Sequence, residues 1–287
     1  MKPKINKEVK DYIKSLVKQH NIEIQEFDKH RELMIPTDEI LNTIFYISSV
    51  SEKTHKTIYD NFSDDLILSY TGIASLSYLS IAVFQENCKN PIDQNWFLEK
   101  SSDPNFVLQS QLVNITNHAL SVVKLIESGL DNSARALIRI LAEIIFTTSI
   151  TFSKKELNLI YKSAKNNDEA DNVWYKNFRP KKINSHLSSI EKEIGLPLEV
   201  TEEISKIRSS IFKEYSSVVH SSFISTSLGA FAFDIDNSVN LGVCGRVSTT
   251  SVNSISSLNW LLFYSLMMNK LILKHYHNYK APGDNKA

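Results

Sequence analysis

Three charged residues, Arg135, Arg139 and Glu143, recur at four-residue steps inside an otherwise apolar run, DNSARALIRILAEIIFTTSITF, over residues 131–152. On a helix these steps align the charges along one stripe, while Leu137, Ile138, Ile140, Leu141, Ile144 and Ile145 cover the remaining surface. A helix apolar nearly all round is a buried one. Buried guanidinium and carboxylate groups cost several kcal/mol per ion unless each finds a partner, so the stripe must face a polar interior, a cleft or another subunit. A second run, RSSIFKEYSSVVHSS over residues 208–222, ends in His220 among small polar residues. Helical spacing puts Lys213, Ser217 and His220 on one stripe and Arg208, Phe212, Tyr215 and Val219 on the next. Histidine exchanges protons near neutral pH and arginine holds phosphate, which is the chemistry of metal-independent RNA cleavage. In that reading Arg135 and Arg139 hold phosphate, His220 exchanges the proton, Tyr215 orients the scissile group and Glu143 fixes an arginine. The competing reading is a polar network that fixes helix packing and leaves the protein a non-enzymatic sensor or adaptor for a protein partner.

A third cluster, Trp174-Tyr175-Lys176-Asn177-Phe178-Arg179-Pro180-Lys181-Lys182, mixes three aromatics with four basic residues in what reads as a loop. Aromatics stack on bases and cations hold phosphates, so Trp174, Lys176, Arg179, Lys181 and Lys182 form the best local nucleic-acid patch in the chain. The plainer reading plugs Trp174 into the bundle and leaves the lysines solvated. No cofactor or metal is expected. His275-x-His277 points its rings about 200° apart on a helix, and Asp234-x-Asp236 lacks the other ligands of a calcium loop. The chain has no P-loop, G-x-G-x-x-G, HExxH or G-x-S-x-G, and Ser217 near His220 has no third partner for a hydrolase triad.

The elements that must carry these groups are helical. Only 7 Gly and 7 Pro occur in 287 residues, too few for the turns of a sandwich or barrel, so the expected fold is an all-α multi-helix bundle. Periodicity and caps predict helices over about 7–20, 37–59, 63–87, 106–128, 131–152, 153–165, 183–194, 200–226 and 250–276. Gly129 closes one helix and Asp131 caps the next, Ser153-x-x-Glu156 reads as a capping box, and residues 88–104 read as a loop. Alternation in residues 230–243 predicts either a small β-hairpin or a structured loop. The implied organisation is an N-terminal helical appendage over 1–60, a main bundle over 61–280 and a flexible tail over 281–287. Basic and acidic residues balance at 32 each, so no global field draws the chain to nucleic acid or anionic lipid. Two cysteines, no apolar leader and a charged N-terminus fit the cytoplasm. Residues 66–84 and 247–269 carry no charge but are rich in Ser, Thr and Tyr, so central bundle helices are preferred over membrane spans.

Gly129-Leu130 with Ala134-Arg135-Ala136-Leu137-Ile138-Arg139 and Glu143, then Trp174-Tyr175, then Tyr215-Ser216-Ser217-Val218-Val219-His220-Ser221, resemble the bacterial family called domain of unknown function 5677. The resemblance spans residues 117–222. It implies an all-helical protein associated with mobile and phage-defence genes, pairing as a homo-oligomer and working with a partner encoded nearby. A more distant similarity is to the HEPN ribonucleases, helical bundles whose paired protomers present an Arg-x4-6-His motif to RNA. This chain departs from that motif: eleven residues separate Arg208 from His220, and the nearest relative of the pattern is Lys213-x6-His220.

Overall fold

The computed structural model describes residues 7–26, 37–87, 104–219, 231–233, 239–241, 245 and 247–277. These form an all-α multi-helix bundle with one short strand pair. The helices are α1 (Lys7–Glu26), α2 (Thr37–Asn87), α3 (Pro104–Glu127), α4 (Asp131–Ser153), α5 (Lys155–Lys162), α6 (Asn167–Asn177), α7 (Pro180–Glu193), α8 (Leu198–Val219) and α9 (Thr249–His277). β1 (Phe231–Phe233) pairs antiparallel with β2 (Val239–Leu241), Phe231 facing Leu241, so the alternating segment is a hairpin. The two helices expected on either side of residue 60 run on as α2, and Phe62, at φ −132° and ψ 24°, marks the junction. Of the expected loop over 88–104 only Pro104 is described, and it opens α3; the rest of that loop, the end of the 200–226 helix and the 281–287 tail lie outside the described residues.

Helix α4 is the centre of the bundle, packing on α3, α8 and α9 along its length and on α5 and α7 near its end. Ile138, Leu141, Ala142, Ile145 and Phe146 are all fully buried. Phe146 meets the rings of Phe212 and Tyr264 edge-on at 5.5 and 5.6 Å, joining α4, α8 and α9 in one aromatic contact. Helices α2 and α9 approach so closely at Gly72 that a Cβ there would lie 2.9 Å from Leu262 Cβ. Among the described residues α4 is the one helix long and apolar enough to cross a bilayer, and most of that stretch faces other helices.

The local signals were half right. Gly129 takes φ 69°, and the bonds Leu130 N–H to Leu125 O (2.8 Å) and Gly129 N–H to Ile126 O (2.8 Å) close α3 as a Schellman turn. Asp131, however, does not cap α4. The cap position is Leu130 without a side-chain bond, and Asp131, the first helical residue, turns its carboxylate onto Thr250 and Ser254 of α9. The Ser153–Glu156 capping box is also overturned. Helix α4 continues through Ser153, whose hydroxyl donates back to Ser149 O at 2.6 Å, and Lys154 stands at the start of α5.

Two carboxylates pin helices together near the surface. Glu127 accepts from Tyr59 (2.8 Å) and Tyr70 (2.7 Å) of α2 and from Lys124 (2.7 Å). Burial pushes its carboxyl up, but these hydrogen bonds outweigh burial and hold it below the ordinary value. Glu193 is held down at about 2 by its hydrogen bonds from Lys154 and Tyr276. A depressed carboxylate stabilises the fold fully above its ordinary pKa near 4.5, and that contribution is lost as pH falls toward the folded value. The melting temperature should therefore drop between pH 5 and 3, and less steeply in Glu193→Gln. Parallel curves for the two proteins would remove Glu193 from the acid response.

Candidate functional site

Helices α4 and α8 run antiparallel, so each step up one is a step down the other. The Arg135 guanidinium lies 5.8 Å from the Tyr215 ring centre, and that of Arg139 lies 4.4 Å from the Phe212 ring centre. Arg139 also donates from Nε to Ser216 Oγ at 3.2 Å and pairs through Nη1 with Glu143 at 2.7 Å. This last contact is close but off the N–H axis, so Nη1 makes no aligned hydrogen bond. Arg135 is 7% exposed, and the Arg139 side chain 11%. The expected stripe is thus assembled, with cations against aromatic faces, an arrangement that stabilises a desolvated guanidinium.

The Tyr215 hydroxyl lies 2.9 Å from Ser257 Oγ and 3.3 Å from the Asn253 carbonyl of α9. Burial pushes its phenol up to about 12, so it is neutral at physiological pH and cannot act as a base there. Asp131 completes the end of the seam. Burial pushes its carboxyl up, against the hydrogen bonds from Thr250 and Ser254 and the charge of Arg135. His220 lies outside the described residues, one position beyond the end of α8 at Val219.

A deeper network escaped the sequence reading. Arg208 and Glu191, both fully buried, pair across α8 and α7, and Arg208 further donates to Asn184 Oδ1 (2.9 Å), Ser188 Oγ (3.1 Å) and the Tyr264 hydroxyl (3.3 Å). Tyr264 in turn donates to Glu191 Oε1 at 2.9 Å. Burial pushes the Glu191 carboxyl up against the pull of Arg208, and its Oε2 is buried without a hydrogen bond. Arg208 is therefore committed to Glu191 and not available to a phosphate. Its place on the apolar stripe with Phe212 and Tyr215 was the one signal of burial. Glu191, seventeen residues away on another helix, carried none.

The aromatic and basic segment corrects the loop expectation. Trp174 and Lys176 belong to α6, Arg179 is the cap of α7, and Lys181 and Lys182 sit in its first turn. Asn166 starts α6 by accepting from Glu169 N–H at 2.9 Å, which turns most of the polar stretch before Trp174 into helix. Trp174 packs against the core, whereas Tyr175 is 65% exposed and has Arg179 5.8 Å from its ring centre. Lys176, Lys181 and Lys182, close by in the chain, are exposed as well. This surface continues at Lys181 into a groove of about 480 Å³ between α7 and α8, lined by Asn184, Ser185, Ser188, Ser209 and Phe212. Among the described residues no group of three or more His, Cys, Asp or Glu side chains could hold a metal ion.

No family model, no curated protein and no solved structure matches this chain.

Proposed function

We propose that this protein binds RNA as a single strand across the surface formed by α6 and the start of α7. The observation that carries the reading is the exposed Tyr175–Arg179 pair flanked by Lys176, Lys181 and Lys182. An open aromatic face accepts any base, and the surrounding ammonium and guanidinium groups follow the phosphates. Fluorescence anisotropy with a labelled single-stranded oligoribonucleotide tests it. Tyr175→Ala should weaken binding about 10-fold or more, the loss expected of one base stack. An unchanged affinity would sink the assignment.

RNA cleavage would depend on His220, the residue that follows Val219 of α8 in the chain. Arg135, Arg139 and Glu143 support it by firmly positioning the end of α8, since their charges are spent on Tyr215, Phe212, Ser216 and each other. Sequencing of RNA ends from bacteria expressing the natural chain should show new termini that vanish with His220→Ala. Intact RNA in both strains would leave a binding protein without nuclease activity. A second reading, a non-enzymatic adaptor for a protein partner or a second copy, is favoured by the exposed Ile67, Leu68, Tyr78 and Ile81 on α2. A setting in bacterial defence rests on the sequence resemblance alone.

A further inference from the structure

The groove between α7 and α8 presents a cation and two serine hydroxyls whose protons have no acceptor among the described residues. Asn184 Oδ1 already accepts from Arg208 Nε at 2.9 Å, and its amide nitrogen donates to Ser205 and Ser209 at 2.8 and 3.3 Å. Ser209 passes its own proton to the Ser205 carbonyl at 2.9 Å. Ser188 is different. Its Oγ accepts from Arg208 Nη2 at 3.1 Å, and among the described residues no acceptor takes its proton. A hydroxyl whose oxygen is held by a buried guanidinium is polarised into a stronger donor. The Ser185 hydroxyl makes no hydrogen bond among the described residues, and Lys181 reaches the groove from the exposed rim. Residues 181, 185 and 188 fall at i, i+4 and i+7, so these three donors line one face of α7.

Converging donors, one of them cationic, suit an anion that only accepts, and among carboxylates, sulfates and phosphates a phosphate ester is the one that a bound RNA strand supplies. Pro180 and Phe212 give the same groove an apolar wall that a bare phosphate would not use. Its volume of about 480 Å³ leaves room for a ring system beside the phosphate. We propose that the α7–α8 groove seats a single nucleotide, with the phosphate on Lys181, Ser185 and Ser188 and the base along Phe212 and Pro180. This deepens the RNA reading of the neighbouring surface and rests on it for the source of the nucleotide: an unpaired residue of a bound strand.

Calorimetric titration of the full chain with adenosine 5′-monophosphate, and with inorganic phosphate beside it, tests the groove apart from the surface. The nucleotide should bind more tightly than phosphate. Lys181→Ala should weaken it about tenfold, the share of one charge-assisted hydrogen bond. Ser185→Trp, which fills the groove from an exposed position, should abolish it, and a melting curve checks that this variant is folded. Undetectable nucleotide binding, or binding that Lys181→Ala and folded Ser185→Trp leave unchanged, overturns the groove assignment. If the oligoribonucleotide still binds and Tyr175→Ala still weakens it, the surface reading survives that failure. If the nucleotide binds in the groove while the oligoribonucleotide does not bind at all, the surface reading falls and the groove serves a free mononucleotide.

Discussion

Arg208→Ala should lower the melting temperature by about 6–20 °C, the largest stability loss expected from any single polar substitution in this bundle. Removing one partner of a buried ion pair costs about 3–5 kcal/mol, because the remaining charge is left without compensation. At about 2–4 °C per kcal/mol for a domain of this size class, that range follows. Here the stranded group is Glu191, fully buried, with one oxygen already lacking a hydrogen bond. Asn184, Ser188 and Tyr264 lose a partner in the same step. The cause is separable from simple loss of packing. Arg208→Met combined with Glu191→Leu replaces both ions with apolar volume and should recover most of the loss, since buried ion pairs often break even against hydrophobic isosteres. If the double variant melts no higher than Arg208→Met alone, the deficit comes from lost packing and from the partners stranded at Asn184, Ser188 and Tyr264, not from the unpaired carboxylate.

Replacing Lys176, Arg179, Lys181 and Lys182 together with alanine should remove most RNA affinity while leaving the fold intact. All four are exposed, Arg179 stands at the cap of α7 without a side-chain cap bond, and exposed substitutions that break no such bond usually shift stability by about 0.5 kcal/mol or less. Their contribution to binding is read in salt. Single strands lose affinity with a log–log slope of about −0.7 per neutralised phosphate, so four contacts give a slope near −3 and about a 50-fold loss between 50 and 200 mM salt. The fourfold variant should bind weakly at 50 mM and show a nearly flat salt dependence. A slope unchanged by the substitutions would place the phosphate contacts elsewhere on the protein. The formal charge of the natural chain is +0, so such a slope cannot come from a global field and must come from a local patch.

The interior charge stripe shows how far spacing carries a site. Four-residue steps placed Arg135, Arg139 and Glu143 on one line of α4, and the apolar surroundings required a buried partner for each. The partner across the interface was half legible, since Phe212 and Tyr215 share a stripe of α8 and do meet the two arginines. The contacts with α9 were not. Tyr215 gives its hydroxyl to Ser257 and Asn253, and Asp131 leaves the cap of its own helix for Thr250 and Ser254, more than a hundred residues along the chain. A capping motif states only which bond is locally available. Here a buried carboxylate found stronger donors in a neighbouring helix, so the local choice lost. The aromatic and basic segment failed in the opposite direction. Pro180 and the polar residues before Trp174 look like loop material, yet Pro is favoured in the first turn of a helix, and Asn166 is a good cap.

By itself the sequence determined the helical class, the position of most elements, the burial of α4 and the list of residues able to do chemistry. These follow from composition, from a period of 3.6 and from local caps, which act over a few residues and need no knowledge of neighbours. Only the tertiary structure decided which of those residues spend their charge inside the protein and which face solvent. It committed Arg208 to Glu191, turned the seam arginines onto aromatic faces, and left Tyr175 and its cations open beside a groove that no single segment contains. The reason is physical. The free energy of an ion or a hydroxyl depends on the partners that meet it in space, and helix packing chooses those partners over distances the chain does not record.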